Sequence, residues 1–523
     1  MNKEPSYFCV MKYAFSILLI LNMFLSQAQI TKVKVNTKKN QPNEPSIAIN
    51  PLNKAEIVAA ANIDEIYFSQ DTGKTWIEFE AQSDLGIYGD PVLHYANNQL
   101  IYTHLSKTSG KKYGDWFDRI VVQKVSSLQP WEEKSYGVGY NNDKMQDKPW
   151  ISSDEHSKYK GNIYCTWSEF DKYESKKEDD RSRIRFSRYN PVIDDFTEAV
   201  TISDTVGDCL DGDNTLEGAV SAVGTDGEVF VVWAAFGKLY FDKSTDQGET
   251  WGVDRIIAEQ VKGWDMEMPH IFRANGMPFI HCNTKTNTIY LTWADEYNGN
   301  ADIWLITSTD GGDTWSERIQ LNLDNSNSHQ YFANMAIDQN TDEVYVVYLD
   351  QRRSPENLFY DIYVSSYSFT NGVKEYRITP NSIPMSGTSF FFGDYLDIDV
   401  QDGLVAVVYP VYLLGNESNL EVATLSPKTF VPENAELKSI VNAITIDGST
   451  KIYVNVHHPY SITGKVKTGY FLKNQTYRFR HSFKGADVNI DQLIASFSTA
   501  NVQKLKYKLK NLNTGEVTKY VSP

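Results

Sequence analysis

A chain of 523 residues with 41% hydrophobic and 13% aromatic side chains has material for a large buried core, which excludes a disordered or fibrous protein. Its 50 Lys and Arg against 67 Asp and Glu leave a formal charge of −17, the wrong sign for binding nucleic acid or an anionic membrane. Length alone points to several domains, but repetitive all-β architectures grow far longer as one unit, so repeats are sought first.

The first predicted element is a leader. From Met11 the chain reads MKYAFSILLILNMFLSQAQ, an apolar run from Ala14 to Leu25 broken only by Ser16 and Asn22 and followed by Ser26-Gln27-Ala28. This predicts a secretory signal peptide over residues 1–28, cut after Ala28. The run is shorter than the roughly 18–20 apolar residues of a spanning helix, and no later segment is apolar enough to cross a bilayer. The mature protein is expected to be exported, either secreted or held at the cell surface. Cys9 leaves with the leader; Cys165, Cys209 and Cys282 remain, which allows one disulfide at most and shows no zinc-ligand spacing. Cys165, in the strand-like NIYCTW, reads as a buried free thiol.

From residue 31 a repeat takes over. Ser69 to Trp76 (SQDTGKTW), Ser244 to Trp251 (STDQGETW) and Ser308 to Trp315 (STDGGDTW) share the form S-x-D-x-G-x-T-W. Physically this is a hairpin: Ser and Asp bond turn amides, Gly takes a positive φ, and Trp packs under the turn. Seven strand pairs run through the same region, among them VFVVWAAFGKLYFDKS and TIYLTWADEYNGNADIWLITS. Ahead of the pairs lie seven short strands approached by a polar residue: NEPSIAIN, GDPVLHY, DKPWISS, EGAVSAVG, MPHIFRA, YFANMAID and GDYLDIDV. From Glu44 to Asp394 the mean period is about 58 residues, which suits four strands with long loops. The expectation is an all-β fold: a β-propeller over residues 31–428, seven four-stranded blades favoured over six blades plus an extra sheet. Beyond Pro427 the rhythm changes to lysine-rich alternating strands, and residues 432–523 read as a small β-sandwich-like domain.

The octad is the Asp-box, or bacterial neuraminidase repeat, and the chain resembles the β-propellers of the sialidase superfamily. The motif specifies a fold rather than a reaction, because it is a folding device. In a propeller the approach to each first strand and the loop between second and third strands open on one face, while the Asp-box hairpins lie on the other. Asp71, Asp246 and Asp310 are therefore structural. The functional face receives Glu44, Asp90, Asp147, Glu217, Asp265 or Glu267, His329 and Asp394, with Asp64, Arg119 and Arg353 from the loops. Converging carboxylates with interspersed arginines suit glycosidic bond cleavage, in which one acid protonates the leaving oxygen and another group stabilises the oxocarbenium-like centre.

The resemblance implies roles. The stretch TLEGAVSAVGTDGEVFVVW is similar to the sialidase segment that would make Glu217 the base assisting a nucleophile. GDYLDIDVQDGLVAVVY resembles the one carrying the nucleophilic tyrosine, here Tyr395, and Asp64 stands where the acid/base aspartate is expected. A tyrosine nucleophile suits an anionic sugar, since it sets no like charge against the substrate carboxylate. The departure is at the start of the propeller. The superfamily's Arg-Ile-Pro is replaced by Asn43-Glu44-Pro45, so a three-arginine carboxylate clamp would have to be rebuilt from Arg119, Arg273 and Arg353.

The expectation is a sialidase-like glycoside hydrolase acting on terminal sugars, needing no cofactor. The alternatives are a non-catalytic glycan-binding adhesin, or a polysaccharide lyase using His104, His329 and Arg119. Asp208, Asp211 and Asp213, around Gly212, would hold a structural calcium if the loop is more than an acidic turn. Trp116, Tyr173, Tyr297, Tyr360 and Tyr412 are the aromatics expected to meet a ligand.

Overall fold

The computed structural model describes residues 30–38, 41–354, 357–385, 391–412 and 418–426, and beyond them short strand segments between 436 and 521. The predicted leader lies outside the described residues. The chain divides into two units, Met1–Val373 with Ile378–Thr429, and Lys374–Arg377 with Phe430–Pro523.

The first unit is a seven-bladed β-propeller; no α-helix occurs among the described residues. Seven antiparallel sheets follow one another along the chain, each of four strands in simple up-and-down order, two with a short fifth strand at the edge. Their first strands are Ser46–Ile49, Val92–Ala96, Met145–Ser153, Glu217–Val223, Phe279–Asn283, Gln330–Asp338 and Asp397–Gln401. Each touches the next, and the last touches the first, so these strands close a ring around the axis. The count is seven blades, as favoured, and not six. The circle is locked by the first described strand: Thr31–Lys34 pairs with Ser418–Leu425, so the seventh blade takes its outermost strand from the other end of the unit.

The core lies between blades. Second strands such as Val229–Ala235 (VFVVWAA) and Thr288–Asp295 are buried along their whole length, which explains why they read as continuous apolar runs rather than as alternation. One cluster joins Tyr164 and Phe186 of blade three to Leu216, Val231 and Trp233 of blade four. The Asp-boxes bolt these interfaces. In each, the serine hydroxyl accepts the glycine N–H and donates to the aspartate (Ser69 to Gly73 2.9 Å and to Asp71 2.9 Å), and the aspartate accepts the threonine N–H (Thr75 N to Asp71 Oδ1 2.9 Å). The glycine then presses on the third strand of the preceding blade: a Cβ on Gly248 would stand 2.1 Å from Phe186, and one on Gly312 2.4 Å from Phe241, both at positive φ. Trp251 and Trp315 meet the same two rings edge-on.

One expected strand is misplaced. MPHIFRA is not the first strand of blade five but a loop, closed by a bridge between Met266 and Ala274, and the strand itself starts at Phe279. Both segments begin Met-Pro, and burial by neighbouring blades, which the local pattern does not report, selects the second. Cys165, Cys209 and Cys282 are buried free thiols.

In the second unit, Thr476–Tyr477, Ala443–Ile446, Val502–Lys510 and Val517–Val521 form an antiparallel sheet in that order, accompanied by three two-stranded pairs.

Candidate active site

The approach to the first strands has one local form in several blades. Glu44, Asp90 and Lys148 each precede a proline and adopt left-handed φ values of 46°, 50° and 49°, a region uncommon for residues with a Cβ. Blades three, four and six slip register across this point, between Asp147 and Trp150, Glu217 and Val220, and Tyr331 and Asn334. A bulge of this kind re-aims a side chain. Of the residues at these strand heads, Glu44, Asp90, Asp147 and Lys148 border a cleft of about 470 Å³. Gly393 is needed beside it: at φ 93°, a Cβ there would stand 2.6 Å from Glu44 Cγ.

The polar side of the cleft holds Glu44, Asp64, Asp90, Asp147, Lys148 and Arg273. Its centre is an ion cluster. Lys148 Nζ lies 2.5 Å from Asp394 Oδ2 and 3.8 Å from Asp90 Oδ2. The Arg273 guanidinium bridges Asp394 and Asp211. Asn275 Nδ2 donates to Asp394 Oδ1 (3.0 Å), and the Asp394 N–H donates to Glu44 Oε1 (3.1 Å). Asn62 completes the ring, donating to Glu44 and accepting the Asp90 N–H at 2.7 Å. Asp211 also receives the Tyr173 hydroxyl and the Trp264 indole N–H (2.9 Å).

Two cations among six carboxyls divide the acids into two groups. Burial acts upward on Asp394 and Asp211, but the Arg273 and Lys148 charges outweigh it and hold both below the usual range. Burial wins at Glu44, Asp90, Asp147 and Glu217, all raised, Asp90 and Glu217 well above the ordinary value. Burial opposes the charge on Lys148, yet the Asp394, Asp90 and Asp147 carboxylates raise it well above the ordinary lysine. Neither oxygen of Glu217 meets an N–H or O–H donor. Its neighbour is the Asp211 carboxylate, so that pair is bridged only when Glu217 carries the proton. Asp64, only partly buried, is raised by desolvation and by Glu80.

The structure therefore gathers Glu44, Asp90, Asp147, Glu217, Asp394, Arg273 and Asp211 around one cluster, with Asp64 on the cleft wall. Tyr395 is 3% exposed; its hydroxyl donates to Pro91 O at 3.5 Å and its ring stands edge-on to Trp150. It bonds to Pro91 and not to Glu217, unlike the paired nucleophile and base that the resemblance implies. The three arginines do not share one point. Arg119 pairs with Asp118 (2.7 Å) and stacks on Tyr140, and Arg353 Nε donates to the Tyr363 hydroxyl (3.3 Å); neither borders the cleft. Asp265 and Glu267 point to solvent. His329 accepts the Ala301 N–H (3.3 Å), and His104 is buried with Nδ1 at 2.8 Å from Leu105 O; neither lines the cleft.

The three aspartates of the acidic turn go separate ways. Asp208 accepts from Thr215 (3.0 Å), Asp213 from the Trp264 N–H (2.7 Å), and Asp211 serves Arg273. Among the described residues no group of three His, Cys, Asp or Glu side chains is arranged to hold a metal ion. Of the expected ligand aromatics only Tyr173 lines the cleft. Tyr360 and Tyr412 are core residues, their hydroxyls donating to Pro410 O (3.2 Å) and Phe391 O (2.6 Å). Trp116 backs the cleft wall, and Tyr297 stacks on Arg318 in blade five.

Sequence reasoning missed Lys148, Asn62 and Asn275. For Lys148 a signal existed: aligning Asn43-Glu44-Pro45, Gly89-Asp90-Pro91 and Asp147-Lys148-Pro149 on the proline puts the lysine, not Asp147, level with Glu44 and Asp90.

No known protein family matches the sequence, and no curated protein matches it. Among solved structures the chain is similar to a protein of unknown function from Dyadobacter fermentans DSM 18053 (12% identity, 77% of this chain and 99% of that one, TM-score 0.43). It is also similar to the Penicillium chrysogenum alpha-L-arabinanase complexed with arabinobiose (13%, 77% and 98%, TM-score 0.39) and to the Hadza microbial sialidase Hz136 (14%, 72% and 74%, TM-score 0.40).

Proposed function

We propose that the protein is a glycan-directed hydrolase that cleaves glycosidic bonds in the cleft of its propeller. The observation that carries this reading is that one ammonium, Lys148, sits between Asp394, whose carboxyl the neighbouring cations hold below the usual range, and Asp90, whose carboxyl burial raises well above it. Acids whose environments push their proton affinities apart are what the reaction needs. Asp90, on the cleft surface, gives its proton to the leaving oxygen as the glycosidic C–O bond breaks. Asp64, the most solvated of the cleft acids and raised less than Asp90, takes the proton of the water that adds to the anomeric carbon. Lys148, Arg273 and Asp394 position these groups and set the field. With the leader read from the sequence, the site of action is outside the cytoplasm.

The narrower reading, an exo-α-sialidase with Tyr395 as nucleophile, Glu217 as its base and Asp64 as acid, is supported by Tyr395 and Glu217 both lying against the charge cluster. It requires Arg273 to exchange an internal carboxylate for that of the substrate.

The test is sugar release from a panel of neutral oligosaccharides together with sialosides. Turnover of a neutral substrate, reduced about 100-fold or more in Asp90→Asn, supports the hydrolase; release from sialosides with loss in Tyr395→Phe selects the narrower reading. Saturable binding without turnover overturns both in favour of a glycan-binding protein.

A further inference from the structure

We infer that the aromatic wall contributed by blade two is a sugar-stacking subsite, with Tyr113 as its platform, for a neutral ring adjacent to the one cleaved; this rests on the glycan-directed reading. The wall is the loop between strands Gln99–Leu105 and Ile120–Leu128, with Tyr88 beside it. Tyr88, Tyr113 and Phe117 border the same cleft as Asp90 and Asp147.

Tyr113 is 64% exposed, yet it is held on one side by three rings. Tyr88, Trp116 and Phe117 stand 5.9, 5.6 and 5.7 Å away at 69°, 87° and 79°. The loop beneath is pinned by a single buried carboxylate: Asp118 receives Arg119 Nε (2.7 Å), Lys111 Nζ (2.7 Å) and the Thr108 hydroxyl (3.0 Å). Ser106 adds a bond to Trp116 O at 2.8 Å. A large aromatic fixed in place and left open to water loses little conformational entropy when a ligand arrives.

The ligand class follows from the surroundings. The Lys107 ammonium already lies over Tyr88 (5.2 Å) and Trp116 (5.6 Å), so those two ring faces are taken and Tyr113 is the ring left for a ligand. The nearby acids disfavour an anion. A sugar ring offers an apolar C–H face for Tyr113 and hydroxyl edges for Asn43, Asn62 and Gln41, which share the cleft.

The experiment uses the full chain carrying Asp90→Asn, titrated with cello-, malto-, xylo- and arabino-oligosaccharides of one to four units and with sialyllactose, read by calorimetry and tryptophan fluorescence. Adding Tyr113→Ala is expected to weaken binding of chains of two or more units roughly fivefold to tenfold, while Tyr113→Phe stays within about twofold and the melting temperature of both is unchanged. Monosaccharide affinity is expected to be unaffected by either. If Tyr113→Ala binds the longer chains as tightly as its parent, the subsite is overturned and the hydrolase reading stands. If no panel member binds the parent saturably, both are overturned.

Discussion

Lys148 Nζ lies 2.5 Å from Asp394 Oδ2 with both side chains almost wholly buried, and this pair joins blade three to blade seven across the floor of the cleft. Removing one partner of a buried ion pair leaves the other charge uncompensated, at a cost of about 3–5 kcal/mol. Arg273 remains on Asp394, so Lys148→Met is expected near the lower figure, about 3 kcal/mol. Urea unfolding measures it. The double variant Lys148→Met/Asp394→Asn is expected to recover part of the loss; strictly additive losses would show that the pair is not coupled.

Asp397 ties blades together from beneath the cleft: it accepts the Ser46 hydroxyl (2.8 Å) and Ile47 N–H (2.8 Å) from blade one and Asn334 Nδ2 (2.9 Å) from blade six. Burial nevertheless pushes it up to about 7. A carboxyl raised in the fold keeps a proton that the unfolded chain has lost, so its contribution is favourable below the unfolded value and declines as pH rises to about 7. His104 and His281, both lowered to about 4 by burial, act in the opposite sense below their ordinary range, so the absolute midpoint does not isolate Asp397. The difference between wild type and Asp397→Asn does. Between pH 5 and pH 8 it is expected to move by about 2–3 kcal/mol in favour of the variant, measured by urea unfolding at both values; no movement would mean that the carboxyl is ionised throughout.

The propeller was legible in the sequence because its signals are local. Three Asp-boxes and the polar residues ahead of apolar runs recur at a steady period, and each follows from a hairpin or a strand that forms with its immediate neighbours. The site was half legible. Topology alone puts Glu44, Asp90, Asp147, Glu217 and Asp394 on one face, and the structure gathers them around one cluster. The cations were not legible: whether Arg273 or Arg119 reaches the axis depends on the path of a long loop and on which carboxylate takes it first. Lys148 was hidden because its neighbour Asp147 satisfied the expectation of an acid at that place.

The Asp-box glycines give a prediction for stability separate from function. Gly248 sits at φ 84° with no room for a Cβ against Phe186. Gly248→Ala is expected to cost roughly 1–2 kcal/mol for the left-handed backbone alone, with overlap against the Phe186 ring added to it. Because the hairpins join third to fourth strands, at the ends remote from the cleft, affinity for any bound oligosaccharide is expected to be unchanged at temperatures where the variant is folded. Calorimetric melting and titration check the two halves, and a matched loss of affinity in folded protein would contradict the separation.

The last prediction concerns the arginines. Arg119 and Arg353 lie in loops on the cleft side of the propeller but border other groups: Asp118 and Tyr140 for the first, Tyr363 for the second. Arg273 alone of the three lines the cleft, and it is committed to Asp394 and Asp211. Arg119→Ala and Arg353→Ala are therefore expected to leave kcat on the best panel substrate within about twofold, any change in Arg119→Ala appearing in KM through the loop that Asp118 pins. Arg273→Ala removes the cation that keeps Asp211 and Asp394 below the usual carboxylate range. Both then shift upward, Lys148 is left as the sole cation of the cluster, and turnover is expected to fall about 100-fold or more. Steady-state kinetics of the three variants decides the matter: equal losses in all three would mean that the arginines do converge on a substrate carboxylate, and the sialidase reading would then take precedence.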